Sequence, residues 1–292
     1  MLNNLPNLLI VGAAKSGTTS LHNYLNQHPD VFIPELSEPY YYCRFDVPEN
    51  FNRKSMITDE KKYFDLFKKG KNHKAIGEAT PNYLQCPHSA SEIKKDFPES
   101  KIIISIRNPI NRAHSGYFSY QFMELDKRTF SEKIDLYEDQ YNRKEFSIFN
   151  FIEEGFFSKH IKNYQKLFPS KQIKIIFFEE YIKNITEHID SILNFLEVSE
   201  LNNLIEEPKN SYRIPQNKVA EFLLASPKFR KIATKLIPTI QRDKIGERFF
   251  VKQSKKPEMS KKDRNRLKNI YSSEFDDLKK LLGITPPWDD YL

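Results

Sequence analysis

The chain contains 292 residues, with 46 Lys and Arg against 39 Asp and Glu, so its formal net charge is +7. This length allows one large α/β domain or two small domains, and an aromatic content of 13% excludes a disordered chain. The positive excess favours an anionic ligand but does not identify it.

Apolar runs and helical patterns alternate along most of the chain. Five runs are typical of strands: 8–11, 31–33, 74–77, 101–106 and 172–178. Helical patterns occur at 18–27, 61–67, 89–97, 111–122, 158–168 and 181–195. Strands that alternate with helices predict a parallel sheet with helices on both faces. Fully apolar runs such as Ile102-Ile103-Ile104 fit strands that are buried on both sides.

The C-terminal third differs in charge. Residues 209–268 hold 18 Lys and Arg against five acidic residues, a local charge of +13. An amphipathic pattern predicts one further helix at 260–282. Because no low-complexity linker interrupts the chain, we expect a single domain over 1–292 with a basic C-terminal subregion at 209–268.

Targeting signals and cysteines bear on where the protein works. The first residues lack a basic segment, and no apolar stretch is long enough for a transmembrane helix. The two cysteines, Cys43 and Cys86, are fewer than a secreted domain of this size usually carries. We therefore expect two free thiols in a cytoplasmic protein without a transmembrane segment.

A turn rich in hydroxyl groups joins the first strand to the first helix. Its sequence is Gly12-Ala-Ala-Lys15-Ser16-Gly17-Thr18-Thr19-Ser20. Backbone N–H groups at a helix start attract anions, and Gly17 allows a phosphate to approach the backbone closely. The turn is not a Walker A loop, because Thr18 rather than Lys follows the last Gly. It predicts a P-loop-type α/β fold in which an anion binds to the charged and hydroxyl-bearing residues of the turn: Lys15, Ser16, Gly17, Thr18, Thr19 and Ser20.

A second candidate anion site follows the strand at 101–106. Arg107 stands at the C-terminal end of this strand, where parallel sheets bind ligands, and Ser115 lies about two helical turns further on. A Mg²⁺-dependent nucleotidase would need a carboxylate where Arg107 stands. Taken alone, the segment equally fits a surface Arg and an ordinary helix Ser.

Together, these segments resemble the sulfotransferases that use 3′-phosphoadenosine 5′-phosphosulfate, nearest to the heparan-sulfate-type and bacterial carbohydrate enzymes. The resemblance spans nearly the whole chain. It is carried by Gly12-Ala-Ala-Lys15-Ser-Gly-Thr-Thr-Ser-Leu21, His28-Pro-Asp-Val31, Glu38-Pro-Tyr40-Tyr-Tyr, Gly77-Glu-Ala-Thr80-Pro-Asn-Tyr83 and Arg107-Asn-Pro-Ile-Asn-Arg112-Ala-His-Ser115-Gly-Tyr117, with weaker similarity at Phe177-Phe-Glu179-Glu-Tyr181, Pro257-Glu-Met259, Leu281-Leu-Gly283 and Trp288.

The resemblance implies how the donor is bound. Residues 15–19 would hold the 5′-phosphosulfate, and Arg107 with Ser115 would hold the 3′-phosphate. The segment Lys252-Gln-Ser254-Lys255-Lys256 is similar to the late basic loop that closes over the donor, although the family usually has Gly at the position of Ser254.

The resemblance also implies that Glu38 is the base that takes the acceptor's proton, a step that the chemistry requires. Glu35 is a nearby alternative. Close relatives often have His two residues after this Glu, where this chain has Tyr40, and the departure leaves the acceptor open. The small-molecule branch uses a His base, for which only His73 and His88 lie in a suitable stretch.

The expected reaction is an in-line sulfuryl transfer to a hydroxyl or amine, in which Lys15 stabilises the leaving group and no metal takes part. The local charge of +13 favours an anionic acceptor such as a carbohydrate or glycolipid, and a merely solvated basic face is the alternative. Three other functions stay open: a P-loop kinase, a basic nucleic-acid-binding protein, and a relative that binds the donor without turnover. The absence of a recognisable nucleic-acid motif counts against the second of these.

Overall fold

The computed structural model of the chain describes residues 5–47, 55–120, 128–140, 150–205, 213–217 and 251–288. Its main strands are β1 (Leu8–Gly12), β2 (Val31–Phe32), β3 (Ala75–Ala79), β4 (Lys101–Ile106) and β5 (Ile173–Phe177). They pair in the order β2-β3-β1-β4-β5, and every pairing is parallel. The prediction of about five parallel strands is confirmed.

The helices connect these strands and continue beyond them. They are α1 (Thr18–Leu25), α2 (Glu60–Asp65), α3 (Ser89–Asp96), α4 (Pro109–Tyr120), α5 (Phe130–Gln140), α6 (Phe157–Gln165), α7 (Phe178–Tyr181), α8 (Ile185–Phe195), α9 (Lys261–Ile270) and α10 (Glu274–Leu282). A separate antiparallel pair joins β6 (Arg213–Pro215) to β7 (Val251–Gln253). None of the described helices has the length and apolar character needed to cross a bilayer.

Both faces of the sheet are buried, as the apolar strands predict. Successive strand residues point to opposite faces, so Leu9 of β1 packs with α3, α6 and α10, whereas Leu8 packs with α1 and α8. Leu8 is paired with Gly77 of β3, where a Cβ atom would collide with the Leu8 carbonyl. A third apolar cluster packs α4, α5 and α9 together beyond the end of β4. The prediction of helices on both faces is therefore confirmed.

The helix predicted at 260–282 is in fact two helices, α9 and α10. The break follows Tyr271, whose buried side chain donates a hydrogen bond of 2.6 Å to the carbonyl of Ile152. Just beyond it, Glu274 accepts hydrogen bonds of 2.8 Å from the backbone N–H and from the hydroxyl of Ser158. These tertiary contacts end one helix and start the next. The pattern at 181–195 is likewise split, into α7 and α8.

The expectation of two free thiols was wrong for this structure, because Cys43 and Cys86 form a disulfide. Their Cα atoms lie 5.8 Å apart, a separation typical of the bond. A 3₁₀ turn at Tyr41–Cys43 packs against α3, and a second turn at Pro81–Leu84 leads to Cys86. Residues that are distant in sequence are thus brought together in one buried cluster.

Only part of the basic subregion at 209–268 lies within the described residues, namely 213–217 and 251–268. The side chains of β6 and β7 are outside the description, and these include Lys252. The predicted position of Lys252 in the donor site therefore stays a prediction.

Candidate functional site

The turn between β1 and α1 has features expected of the predicted anion site. Gly17 has a φ of 83°, in the left-handed region, and a Cβ atom there would lie 2.8 Å from the ring of Phe178. Helix α1 begins at Thr18, so the N–H groups of its first turn are available at the loop. The hydroxyl of Ser16 is fully buried and has no hydrogen-bond partner among the described residues. A phosphate oxygen would satisfy that hydroxyl.

The other hydroxyls of the turn differ in their surroundings. Thr18 is buried and Thr19 is exposed. The Ser20 hydroxyl lies 2.9 Å from the hydroxyl of Tyr181 on α7, so it is already hydrogen-bonded. Ser16 and Thr18 are therefore better placed to line the anion site than Ser20.

Lys15 lies at the centre of the site. Its ammonium group donates a hydrogen bond of 3.4 Å to the hydroxyl of Ser119 on α4. Burial lowers the pKa of Lys15, the negative charge of Glu38 opposes this shift, and the positive charge of Arg107 adds to it. The ammonium group thus experiences the charges of Glu38, the predicted base, and of Arg107, the residue predicted to bind the 3′-phosphate.

Glu38 is half-buried in the loop after β2, and its φ is 55°. The hydroxyl of Tyr40 donates a hydrogen bond of 3.0 Å to its Oε2 atom. The alternative bases have other surroundings. Glu35 is exposed, His73 makes a 3.2 Å contact with the carbonyl of Gly70, and His88 pairs with Asp46.

Arg107 extends from the end of β4 toward the turn between β1 and α1, residues 13–17, which is the predicted phosphate turn. Its Nη1 atom donates a hydrogen bond of 3.2 Å to the Lys15 carbonyl, and its guanidinium lies 4.6 Å from the ring centre of Phe178. Burial lowers the pKa of Arg107, while the charge of Glu179 opposes the shift. Its Nε atom is buried and has no hydrogen-bond partner among the described residues. This N–H could still bind an anion.

A cavity of about 370 Å³ opens beside Arg107. Lys256 also lines it, and burial together with the charges of Arg107 and Lys15 lowers the pKa of Lys256 to about 8. Lys255 is exposed, and the Ser254 hydroxyl donates a hydrogen bond of 3.3 Å to the carbonyl of Lys255. Of the late basic loop, Lys256 is the residue that the structure brings to Arg107.

Helix α4 lines this cavity with residues other than the predicted Ser115. Ser115 is half-buried on α4, whereas Asn111 and His114 line the cavity. Burial, followed by the charges of Lys256 and Arg264, lowers the pKa of His114 to about 4, so the ring is neutral at pH 7. Neither residue was predicted from the sequence, although both follow Arg107 closely on α4 and a spacing of three places them on one helix face.

Arg264 of α9 completes this wall of the cavity, and its Nη2 atom donates a hydrogen bond of 3.0 Å to Asn111 Oδ1. No local motif marks this residue, because only the packing of α9 on α4 and α5 brings it to the site. Within the described ranges, no group of three or more His, Cys, Asp or Glu has the arrangement of a metal site. The arrangement provides several cations for an anionic ligand, and the carboxylate of Glu38 acts on Lys15.

Comparisons with known proteins agree with this chemistry. The profile of the family described as "Sulfotransferase domain" matches residues 5–279. The chain is 34% identical over 124 residues to a membrane-associated sulfotransferase, kil1, of Dictyostelium discoideum, covering 42% of this chain and 25% of that protein. It is 24% identical over 192 residues to human heparan sulfate glucosamine 3-O-sulfotransferase 3B1, covering 66% and 46%. The chain thus spans between a quarter and about half of these curated relatives.

A solved structure matches over a larger share. The crystal structure of a sulfotransferase from Alicyclobacillus acidocaldarius superposes with a TM-score of 0.71 at 26% sequence identity, and the match covers 96% of each chain. The described fold is therefore similar to that of an experimentally determined protein along almost its entire length.

Proposed function

The chain belongs to the sulfotransferase domain family, and from this premise we propose that it transfers a sulfuryl group from 3′-phosphoadenosine 5′-phosphosulfate to an acceptor hydroxyl or amine. The observation that carries the proposal is the position of Lys15. Its ammonium group is subject to the charges of Glu38 and Arg107 and is placed by a phosphate-type turn. The Lys-Ser/Thr pair of a Walker A loop is missing after Gly17, which argues against a kinase.

The donor has two anionic ends, and the site offers cations for both. The turn at 15–18 would bind the 5′-phosphosulfate, where the buried Ser16 hydroxyl needs a partner. Arg107 and Lys256 line the cavity beside α4 and would bind the 3′-phosphate there, with Ser115 of α4 as the further ligand that the resemblance implies. The buried Nε atom of Arg107 supports this assignment.

The transfer breaks the bond between sulfur and the bridging oxygen of the donor and forms a bond between sulfur and the acceptor atom. Glu38 takes the proton that the acceptor loses. Lys15 stabilises the negative charge that builds on the 5′-phosphate oxygen of the leaving adenosine 3′,5′-bisphosphate. This stabilisation grows toward the transition state, because the charge develops only as the bond breaks.

The acceptor is, in this proposal, an anionic carbohydrate or glycolipid. Support comes from the local charge of +13 at 209–268 and from the name of a relative that acts on heparan sulfate. The measurement is kcat/KM for a panel of glycans, glycolipids and phenols at saturating donor. For an anionic acceptor that the basic subregion attracts, kcat/KM falls steeply as salt rises. A neutral phenol as the best acceptor, with no salt dependence, would contradict this part of the proposal.

The catalytic assignment is tested with Glu38→Gln. The amide cannot accept a proton, so we expect turnover to fall by about 10²–10⁴-fold. Affinity for adenosine 3′,5′-bisphosphate, measured by titration calorimetry with a chelator present, should stay unchanged. The exposed neighbour Glu35 provides the matched control, because Glu35→Gln should retain activity. Glu38→Gln turnover within a few fold of wild type would exclude Glu38 as the base, and a Mg²⁺ requirement would favour the kinase.

A further inference from the structure

Tyr40 is a buried tyrosine whose hydroxyl contacts two polar side chains. It lies 3.0 Å from Glu38 Oε2 and 2.9 Å from the side-chain oxygen position of Asn82, and Tyr40 is only 1% exposed. The φ angles of Glu38 and Tyr40 are 55° and 53°, a left-handed conformation that is uncommon for residues with a side chain. Such strained backbone persists where surrounding contacts enforce it, and it is often found at functional sites.

We propose that Tyr40 and Asn82 act as a positioning pair, in which Asn82 donates to the Tyr40 oxygen and Tyr40 donates its proton to Glu38. The inference rests on the proposed function, because it gives Glu38 the role of base.

The direction of the two hydrogen bonds follows from counting protons. A phenol has one proton, so it cannot donate to Glu38 and to an Asn82 oxygen at the same time. The carboxylate is the stronger acceptor and takes that proton. The oxygen and nitrogen of an Asn amide are nearly interchangeable in shape, so the Asn82 NH₂ group can occupy the position near Tyr40 and donate to its oxygen.

The consequence for Glu38 is a fixed orientation. The hydrogen bond from Tyr40 to Oε2 restricts rotation of the Glu38 carboxylate. Because a carboxylate has two oxygens with several lone pairs, Glu38 can still accept a proton from the acceptor. Orientation matters because a displacement of about 1 Å can slow a reaction by about 100-fold.

The loop that carries Tyr40 is held firmly against the loop after β3. The backbone N–H of Tyr42 donates a hydrogen bond of 3.3 Å to the Tyr83 hydroxyl, and Cys43 is joined to Cys86. Asn82 belongs to the same turn as Tyr83, so three successive attachments connect the two loops. The Tyr40 hydroxyl is therefore held in a fixed position from which it orients the Glu38 carboxylate.

Other charged groups affect Glu38 as well. Lys15 approaches it from the phosphate turn, and three further charges act on Lys15: Arg107 after β4, Arg112 of α4 and Glu154 of the turn before α6. A change at Tyr40 removes none of these groups. An effect of that substitution on kcat can thus be attributed to its hydrogen bond.

The first test compares Tyr40→Phe with Tyr42→Phe. Both variants lose one buried hydroxyl from the same loop, but the Tyr42 hydroxyl donates to Asp96, at 2.9 Å, rather than to Glu38. For Tyr40→Phe we expect a fall in kcat of up to about 100-fold. The fall should appear in kcat and not in donor-product affinity, so both variants should bind adenosine 3′,5′-bisphosphate like wild type. Tyr42→Phe should keep the wild-type kcat.

Asn82→Asp tests the assigned direction of the hydrogen bonds. An ionised Asp can only accept, so it would draw the phenol proton away from Glu38 and reproduce the effects of Tyr40→Phe. The double variant should then be no slower than Tyr40→Phe alone, since both substitutions remove the same interaction. Asn82→Asp with the wild-type kcat would overturn the assignment. This variant also provides the test should Tyr40→Phe fail to fold.

The outcomes separate this inference from the proposed function. Loss of turnover in Glu38→Gln, combined with equal behaviour of Tyr40→Phe and Tyr42→Phe, would overturn the positioning pair and leave the proposed function standing. Full activity in Glu38→Gln would overturn the positioning pair and the assignment of Glu38 as base, while sulfuryl transfer itself would stand. Absence of sulfuryl transfer in wild type would overturn the proposed function.

Discussion

At the scale of single residues, the site concentrates positive charge where little water is present. Burial lowers the pKa of Lys15, of Arg107 and of Lys256, and each of these side chains is also affected by the charge of at least one other cation. Such a cluster is unfavourable by itself, since burial and like charges both oppose ionisation. A ligand with phosphate groups at the same place removes this penalty.

The charge of Lys256 should make the affinity for adenosine 3′,5′-bisphosphate depend on pH. Its pKa of about 8 means that the side chain loses its charge as pH rises through 8, whereas a bound phosphate would favour the charged form. Affinity for adenosine 3′,5′-bisphosphate should therefore fall between pH 7 and 9, by up to about tenfold per pH unit above the pKa. Titration calorimetry across this range measures the effect.

Two substitutions identify the source of that fall. Lys256→Arg should reduce the pH dependence, because the guanidinium stays charged throughout. Lys255→Arg, at the exposed neighbour, should leave it unchanged. Equal pH dependence in wild type and Lys256→Arg would show that Lys256 does not bind the phosphate.

At the scale of helices and strands, the sequence predicts those elements whose position depends on the local pattern of apolar and polar residues. The five strands, most helices and the phosphate turn follow from runs of apolar residues and from the composition of one loop. The break after Tyr271 does not, because Tyr271 fits the apolar face of a continuous helix and only its contact with Ile152 explains the end. Arg264 was missed for the same reason, since its place in the cavity depends on how α9 packs.

Strand β3 carries a buried carboxylate in the middle of the sheet. Glu78 is 1% exposed and accepts hydrogen bonds from the hydroxyls of Tyr63, Thr80 and Tyr83, at 2.7, 2.6 and 2.8 Å. Burial outweighs these donors and raises the pKa of Glu78 from 4.5 to about 7. The carboxyl group therefore binds a proton in the folded chain at pH values where the unfolded chain has released it.

This shift predicts how stability changes with pH. Between pH 4.5 and about 7, wild type should lose stability relative to Glu78→Gln as pH rises, and above this window the difference should be constant. The comparison cancels the opposite contribution of His114 and His160, whose pKa values burial lowers to about 4. Urea unfolding at a series of pH values measures it. The exposed Glu99→Gln should show no such trend, and a flat difference for Glu78→Gln would contradict the buried, protonated state.

The disulfide joins the 3₁₀ turn at Tyr41–Cys43 to Cys86, before α3. The cysteines have a sequence separation of 43, for which the chain-entropy contribution to the free energy of unfolding is about 4 kcal/mol. Reductant should lower the urea midpoint of wild type, and the double variant Cys43→Ser, Cys86→Ser should be less stable and insensitive to reductant. Two titratable thiols in denatured, unreduced protein would contradict the bond and support the predicted cytoplasmic location, which stays a prediction.

At the scale of the whole molecule, the site forms where the strand order reverses. From β1 the chain passes to β2 and β3 on one side of this strand and then crosses to β4 and β5 on the other side. The phosphate turn and Arg107 follow the two adjacent strands β1 and β4. Parallel sheets bind ligands at such a point. The C-terminal segment returns to the same place, because the Trp288 indole N–H donates a hydrogen bond of 3.0 Å to Glu179 Oε2.

Because of this contact, the intrinsic fluorescence of Trp288 should report on ligand binding at Arg107. Trp288 is the single tryptophan of the chain and is 3% exposed, so its fluorescence arises from one defined environment. Glu179 Oε1 also accepts a 3.0 Å hydrogen bond from the backbone N–H of Asn108, and the Glu179 charge acts on Arg107. A dianionic phosphate at Arg107 should therefore alter the electric field at the indole and change its emission during titration with adenosine 3′,5′-bisphosphate. Arg107→Ala should abolish the change at the same ligand concentrations, and an unchanged signal in that variant would mean that the indole senses some other event.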